Sequence, residues 1–309
     1  MTLPSHMGDV RVREVGLSDG LQSISQIMPT AEKIAWIDAE FEAGVREIEV
    51  CSFVPVRLMP QFADAREVVD HALGLADLTV AALVPNPRGA ELALARGVHK
   101  INYVISASES HNLANVRRTR AGSLDGFRDV ARLARGSTTS VVGAVSTAFG
   151  CTIEGSIAED DVLYLVDGYL AGGASEIVLA DTVGYADPTA IGALVRRVRS
   201  VTGDVPLALH LHDTRGLGLA NVMAGLQAGI RDFDAALGGM GGCPHAPGAS
   251  GNIVTEDLVY LLEASGFGTG IDIQALVAVR DVLIRALPDV QLLGAIAKAG
   301  LPLGLLPRR

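Results

Sequence analysis

Two histidines, His210 and His212, close a Pro206-Leu-Ala-Leu run. On a β-strand, residues two apart project from one face, so these two imidazoles share a side. Side-by-side ring nitrogens at a strand end are either a hydrogen-bonded pair or half of a divalent-metal site. Oxygen donors at other strand ends favour the metal: Asp19 follows the first apolar run and Asn252 the last. Two imidazoles with two oxygens suit Mg²⁺ or Mn²⁺, with Zn²⁺ as a third candidate. The expected ligand set is Asp19, His210, His212 and Asn252. Cys243 stands between Gly242 and Pro244 in a glycine-rich stretch. Buried cysteine usually packs as a small hydrophobe. A glycine-rich loop more often closes over substrate, and a thiol there can protonate a carbanion.

Other chemistry-bearing residues are set against plainer readings. Glu49 and Asp181 lie in otherwise apolar strands, where an unpaired charge is costly. Glu49 is either functional or ion-paired with Arg13; Asp181-Thr182 ends its strand and reads as functional. Glu256 and Asp257 open a helix, where acidic residues favour the dipole. Glu256 is also placed to order Asn252. Ser108, Asn112 and the Arg117-Arg118-Thr-Arg120 cluster could meet the phosphates of a coenzyme A tail; a solvated helix face is the alternative.

These residues need a scaffold that gathers strand ends. Eight strand-like runs, at 10–17, 46–53, 78–85, 100–107, 139–147, 175–181, 206–212 and 232–238, alternate with helical patterns. The helices are expected near 30–44, 61–74, 87–96, 122–135, 157–172, 188–201, 217–228 and 254–265, with a ninth at 271–287. Eight such units without a break in composition predict an α/β fold, a (β/α)8 TIM barrel with an extra C-terminal helix. The whole chain, 1–309, reads as one domain: a barrel over about 10–266, then a helix and tail over 267–309. In such a barrel the active site lies at the C-terminal strand ends, where Asp19, Glu49, Asp181, His210 and His212 all fall.

The chain is 49% hydrophobic but only 4% aromatic, which suits parallel strands covered by helices. A net charge of −10 argues against nucleic acid as a partner. Three scattered cysteines, with no CxxC pair, suggest a reducing, cytoplasmic setting. Residues 1–9 hold no apolar run of signal-peptide length, and charges interrupt every long apolar stretch, so no membrane span is expected.

The motifs resemble those of the 3-hydroxy-3-methylglutaryl-CoA lyase family, among the metal-dependent lyase and aldolase barrels. The resemblance covers about 10–285. It rests on Val15-Gly-Leu-Ser-Asp19-Gly-Leu-Gln22, Ile48-Glu49-Val-Cys-Ser52-Phe53, Ser106-Ala-Ser-Glu109 and Phe149-Gly-Cys-Thr-Ile-Glu154-Gly. It rests further on Leu179-Ala-Asp181-Thr-Val-Gly184, His210-Leu-His212-Asp-Thr and Gly241-Gly-Cys243-Pro-His-Ala-Pro-Gly-Ala-Ser-Gly-Asn252. The last is specific to the lyase branch. The resemblance implies Mg²⁺ or Mn²⁺ on the four ligands named above. It implies proton transfer by Cys243 and His210, and support from Glu49, Asp181 and Glu256. The implied reaction is retro-Claisen cleavage of a 3-hydroxyacyl-CoA to an acyl-CoA and a keto acid. A homodimer is the family expectation.

The family pattern has arginine just before the first-strand aspartate; this chain has Ser18. That arginine's expected role is to stabilise the developing enolate oxyanion, and losing such a group costs about 10²–10³ in rate. Arg215 or Arg57 could supply the cation from another loop, around a different substrate. His245 is a milder departure, from tyrosine. Two rivals stay open: an aldolase or condensing enzyme on a non-CoA substrate, and a catalytically impaired homologue that binds a ligand.

Overall fold

The computed structural model describes residues 7–242 and 251–303. Eight strands occur in chain order: β1 (Arg11–Glu14), β2 (Glu47–Ser52), β3 (Thr79–Leu83), β4 (Lys100–Ser106), β5 (Ser140–Ser146), β6 (Glu176–Asp181), β7 (Leu207–Leu211) and β8 (Asp232–Ala235). All neighbours pair in parallel, and β8 returns to β1 in register from Arg11↔Asp232 to Glu14↔Ala235, closing the barrel. The outer helices are α1 (Thr30–Glu42), α2 (Ala65–Ala72), α3 (Pro87–Leu94), α4 (Glu109–Val116), α5 (Arg120–Ala134), α6 (Glu159–Gly172), α7 (Pro188–Thr202), α8 (Gly218–Gln227) and α9 (Thr255–Ala264). Beyond them come α10 (Ile273–Ala286), packed on α1, and the short α11 (Ala295–Ala299). The expected TIM barrel with its extra C-terminal helix is the observed fold.

Local chemistry sets these elements. β6, Glu-Ile-Val-Leu-Ala-Asp, is buried along its whole length, as a parallel strand covered on both faces must be. Asn86, Thr119 and Asp187 cap α3, α5 and α7 through side-chain oxygens. Gly143 in β5 leaves room for the Tyr169 ring, whose hydroxyl donates to the carbonyls of Tyr103 and Ala144 at 3.0 and 2.9 Å. Among the described residues, no helix is long and apolar enough to cross a membrane.

Three details depart from the sequence expectation. β1 stops at Glu14, and Gly16–Gly20 forms a wide π-helical turn. Glu14 explains the stop: its carboxylate accepts from the Gly16 and Leu237 amides and the Thr255 hydroxyl, at 2.7, 3.0 and 2.7 Å. β8 likewise ends at Ala235, three residues early. The extra helix α4 follows β4, with Ser108 as its N-cap.

The barrel lumen holds charged as well as apolar side chains. Val104, Val142, Ala144, Val178 and Ala208 form one apolar layer. Nearby, Arg13 of β1 pairs with Glu176 of β6, and Lys100 of β4 reaches Glu47 of β2 at 2.7 Å and Glu176 at 3.0 Å. None of these pairs joins adjacent strands, so the contacts run across the lumen.

Candidate active site

The π-helical turn after β1 lifts Asp19 to the rim of the barrel mouth. Gln22 Nε2 donates to Asp19 Oδ1, and Asn252 Nδ2 donates to Asp19 Oδ2, both at 2.6 Å. Opposite, His210 and His212 project from the end of β7 with their Nε2 atoms 3.1 Å apart. His212 Nε2 stands 4.0 Å from Asp19 Oδ2, and the three ligand atoms of Asp19, His210 and His212 fall within 4.8 Å of one another. His210 Nδ1 faces Asp234 Oδ2 at 3.2 Å. An antiparallel bridge to His212, with the Ile253 amide on the Leu211 carbonyl at 3.0 Å, brings Asn252 alongside.

This donor set fits a divalent cation. Two ligands at right angles around an ion with bonds near 2.1 Å stand about 3 Å apart, as the two Nε2 atoms do. Asn252 is fully buried, yet its Oδ1 has no hydrogen-bond partner among the described residues. A buried amide oxygen seldom goes unpaired, and a cation would satisfy it. The triad Asp19, His210 and His212 is thus a metal-binding arrangement, with Asn252 beside it.

Burial controls the protonation states here. His212 is pushed down to about 4, by burial first and then by the charge of His210. Burial also opposes a charge on His210, but its Asp234 hydrogen bond and the nearby Asp19, Asp234 and Glu49 raise its pKa overall. Burial lifts Glu49 to about 7, against hydrogen bonds from Asn102 and Ser18. Burial lifts Asp181 to about 6, against the Tyr185 and Ala186 amides and the charges of Arg215 and His210.

Glu49 is not paired with Arg13: Asn102 Nδ2 donates to it at 2.5 Å, whereas Arg13 serves Asp234 and Glu176. The Arg13–Glu49 pairing fails because Arg13 points across the lumen, not toward β2. Ser18 is buried, its hydroxyl bound to Glu49. Arg215 is at the mouth, but its guanidinium donates to the Val183 and Gly184 carbonyls at 3.0 and 3.1 Å and lies 4.4 Å from the Tyr185 ring centre. Arg57 is exposed on the loop after β2. Glu256 does not order Asn252; it accepts from the Gly238 amide at 3.0 Å and from Arg280 at 2.5 Å. Ser108 and Asn112 are buried and build the β4–α5 connection. The Ser108 hydroxyl caps His111 N, and Asn112 binds Ser106 N, the Arg118 carbonyl and Ser123. Arg120 is held by Asp161, while Arg117 is exposed at the C-cap of α4. Cys243 and His245 lie outside the described residues. The stem of their loop is tight: a Cβ on Gly251 would sit 2.5 Å from the Gly239 carbonyl oxygen and 2.6 Å from that of Gly241.

Sequence reading missed Gln22 and Asn102, and it missed that Arg13 pairs with Asp234. The alternations Arg11-x-Arg13 and Asp232-x-Asp234 are a signal for the last two, since residues two apart share a face.

Known proteins bear the same frame. The family model described as HMGL-like matches residues 9–283. The (R)-citramalyl-CoA lyase of Chloroflexus aurantiacus is 42% identical over 91% of this chain and 92% of its own. A hydroxymethylglutaryl-CoA lyase of Bacillus subtilis is 38% identical over 87% and 90%. The solved HMG-CoA lyase of Acinetobacter baumannii, in complex with coenzyme A and 3-methylmalate, superimposes with a TM-score of 0.91 at 42% identity, covering 97% of this chain and 98% of that one. With the barrel, the metal-binding triad and these relatives together, the chain belongs to the HMGL-like family and is a carbon–carbon lyase.

Proposed function

We propose that the protein cleaves a CoA thioester bearing a tertiary 3-hydroxyl, of the 3-hydroxy-3-methylglutaryl or citramalyl kind, to an acyl-CoA and a keto acid. Both acyl groups share the unit C(OH)(CH₃)–CH₂–CO–S and differ in the reach of the distal carboxylate. The observation that carries this reading is the gathering of Asp19, His210, His212 and Asn252 at the C-terminal mouth.

Asp19, His210, His212 and Asn252 would hold Mg²⁺ or Mn²⁺, with Zn²⁺ as the third candidate. Bound there, the cation would supply Lewis-acid polarisation of the substrate's oxygens. The low pKa of His212 keeps it neutral and its ring nitrogen available. Gln22 and Asn252 fix the rotamer of Asp19. His210 was the expected proton carrier. Its Nδ1 faces Asp234 and its Nε2 faces His212, so neither nitrogen is open to a hydroxyl proton. We assign that step to Asp181 at the end of β6: its oxygens accept from the Tyr185 and Ala186 amides at 2.8 and 3.0 Å but each keeps a second lone pair, and burial lifts its pKa to about 6. The 3-hydroxyl gives its proton to Asp181 and the C2–C3 bond breaks. C3 becomes a ketone, and the electron pair leaves as the thioester enolate. The Cys243 thiol protonates C2. Ser18 and Glu49, buried beside Asp19, would shape the acyl pocket, and Arg215 on the loop after β7 would meet a substrate anion. Arg117, exposed at the C-cap of α4, would meet the coenzyme A phosphates, and Ser108 and Asn112 would hold the turn that presents it. We further propose a single catalytic domain and a homodimer, on family grounds, and a cytoplasmic setting, on the three scattered cysteines.

Product identification tests the proposal. The protein is incubated with each thioester and Mn²⁺, and the products are separated by mass spectrometry. Acetyl-CoA with acetoacetate, or acetyl-CoA with pyruvate, is expected. Intact thioesters after complete metal loading would overturn it.

A further inference from the structure

The polar lumen poses a physical question. Barrel interiors are filled chiefly by branched apolar side chains. A buried ion network is often less stabilising than an apolar replacement of equal volume. Yet Arg13, Glu47, Glu176 and Asp234 are buried and Lys100 is mostly so, and the five form one connected network across the lumen. One end of it touches the candidate metal site. Arg13 Nε donates to Asp234 Oδ1 at 2.6 Å, and its second nitrogen, Nη2, reaches the same oxygen at 2.5 Å. The other oxygen, Asp234 Oδ2, is left for His210 Nδ1 at 3.2 Å. The carboxylate is thereby split between two partners: one oxygen for the guanidinium, one for the imidazole.

We propose that Arg13 and Asp234 are positioning residues for cation binding. Arg13 fixes the rotamer of Asp234. Asp234 Oδ2 is acceptor-only, so it holds the His210 proton on Nδ1. The lone pair of His210 then lies on Nε2, the atom that faces His212. This inference rests on the metal reading of Asp19, His210 and His212. It gives the lumen network a role that a packing function does not require, and it separates that role residue by residue. Glu176 touches Arg13 and Lys100 but neither Asp234 nor His210.

Mn²⁺ titration calorimetry on the full chain, with thermal melts of the same samples, tests the inference. Four proteins are compared: wild type, Arg13→Met, Asp234→Asn and Glu176→Gln. Asparagine preserves volume at 234. It keeps its oxygen toward Arg13 and turns its amide N–H toward His210, which favours the proton on Nε2. Asp234→Asn and Arg13→Met are expected to lose about 10- to 100-fold in Mn²⁺ affinity, the usual effect of removing a partner behind a ligand. Glu176→Gln is expected to melt lower with wild-type affinity. In metal-free protein, at a pH high enough for the ring to be neutral, ¹⁵N NMR of His210 is expected to show Nδ1–H in wild type and Nε2–H in Asp234→Asn. Wild-type affinity in Asp234→Asn, with or without a loss of stability, overturns the inference and leaves the metal reading standing. A wild-type chain that takes up no Mn²⁺ overturns both. If Arg13→Met does not fold, the isosteric Asp234→Asn decides alone.

Discussion

Replacing Glu49 by glutamine should change how stability depends on pH. Glu49 is 6% exposed, and its partners, Asn102 and Ser18, are neutral. Asp19 and Asp234 lie close enough to raise its pKa further. Burial therefore favours the protonated form, which titrates near 7 in the folded chain against 4.5 when exposed. The native state binds this proton more tightly than the unfolded state. The stabilisation is fully present below pH 4.5 and is lost as pH rises through about 7. Such a difference corresponds to about 3 kcal/mol, most of it between about pH 5 and 8. Glutamine has no proton to lose, and its amide can still accept from Asn102 and donate to Ser18. In EDTA throughout, Glu49→Gln should gain on wild type by about 4 °C in melting temperature from about pH 5 to 8. Differential scanning fluorimetry across that range is sufficient. Parallel pH curves for the two proteins would refute the claim that a buried, cation-free carboxyl sits at this position.

Three further outcomes follow from single contacts. Gly251→Ala places a Cβ against two backbone oxygens at a φ of +95°, so the loop stem must open. A loss of about 2–3 kcal/mol is expected, with a steep fall in kcat; wild-type turnover would contradict the tight stem. Ser18→Arg sets a guanidinium beside Glu49, so the ratio of kcat/KM between the two thioesters should move. An unchanged ratio would show that position 18 does not choose the substrate. Arg215→Ala should cost about 10²–10³ in kcat if this side chain supplies the missing cation. Unchanged turnover, with Arg215 merely bracing the Val183 and Gly184 carbonyls, would end that idea.

Much of this molecule is legible in its sequence because parallel strands are buried on both faces. Runs such as Ile177-Val-Leu-Ala announce themselves, and a strand end marked by Asp181 or His212 then falls at the mouth. The metal triad was legible for the same reason: the residues are few, polar and terminal. Three things were hidden. The turn over Gly16–Gly20 depends on Glu14, whose partners Leu237 and Thr255 lie more than two hundred residues away. The partner of Glu49 could not be guessed, because alternation tells which face a residue takes but not what lies across the lumen. Only barrel closure places Arg13 opposite Glu176 and beside Asp234. Helix α4 is short and polar, and its capping serine reads equally well as a ligand contact.

The central claim is a cation-assisted carbon–carbon cleavage at the mouth of this barrel. Its most direct test is turnover against metal concentration. Protein stripped with EDTA is assayed on 3-hydroxy-3-methylglutaryl-CoA and citramalyl-CoA while Mg²⁺ or Mn²⁺ is titrated in, beside a His212→Ala variant. The prediction is cleavage of at least one thioester that saturates with metal, vanishes without it and is lost in the variant. Equal cleavage with and without metal, or full activity in His212→Ala, would contradict it.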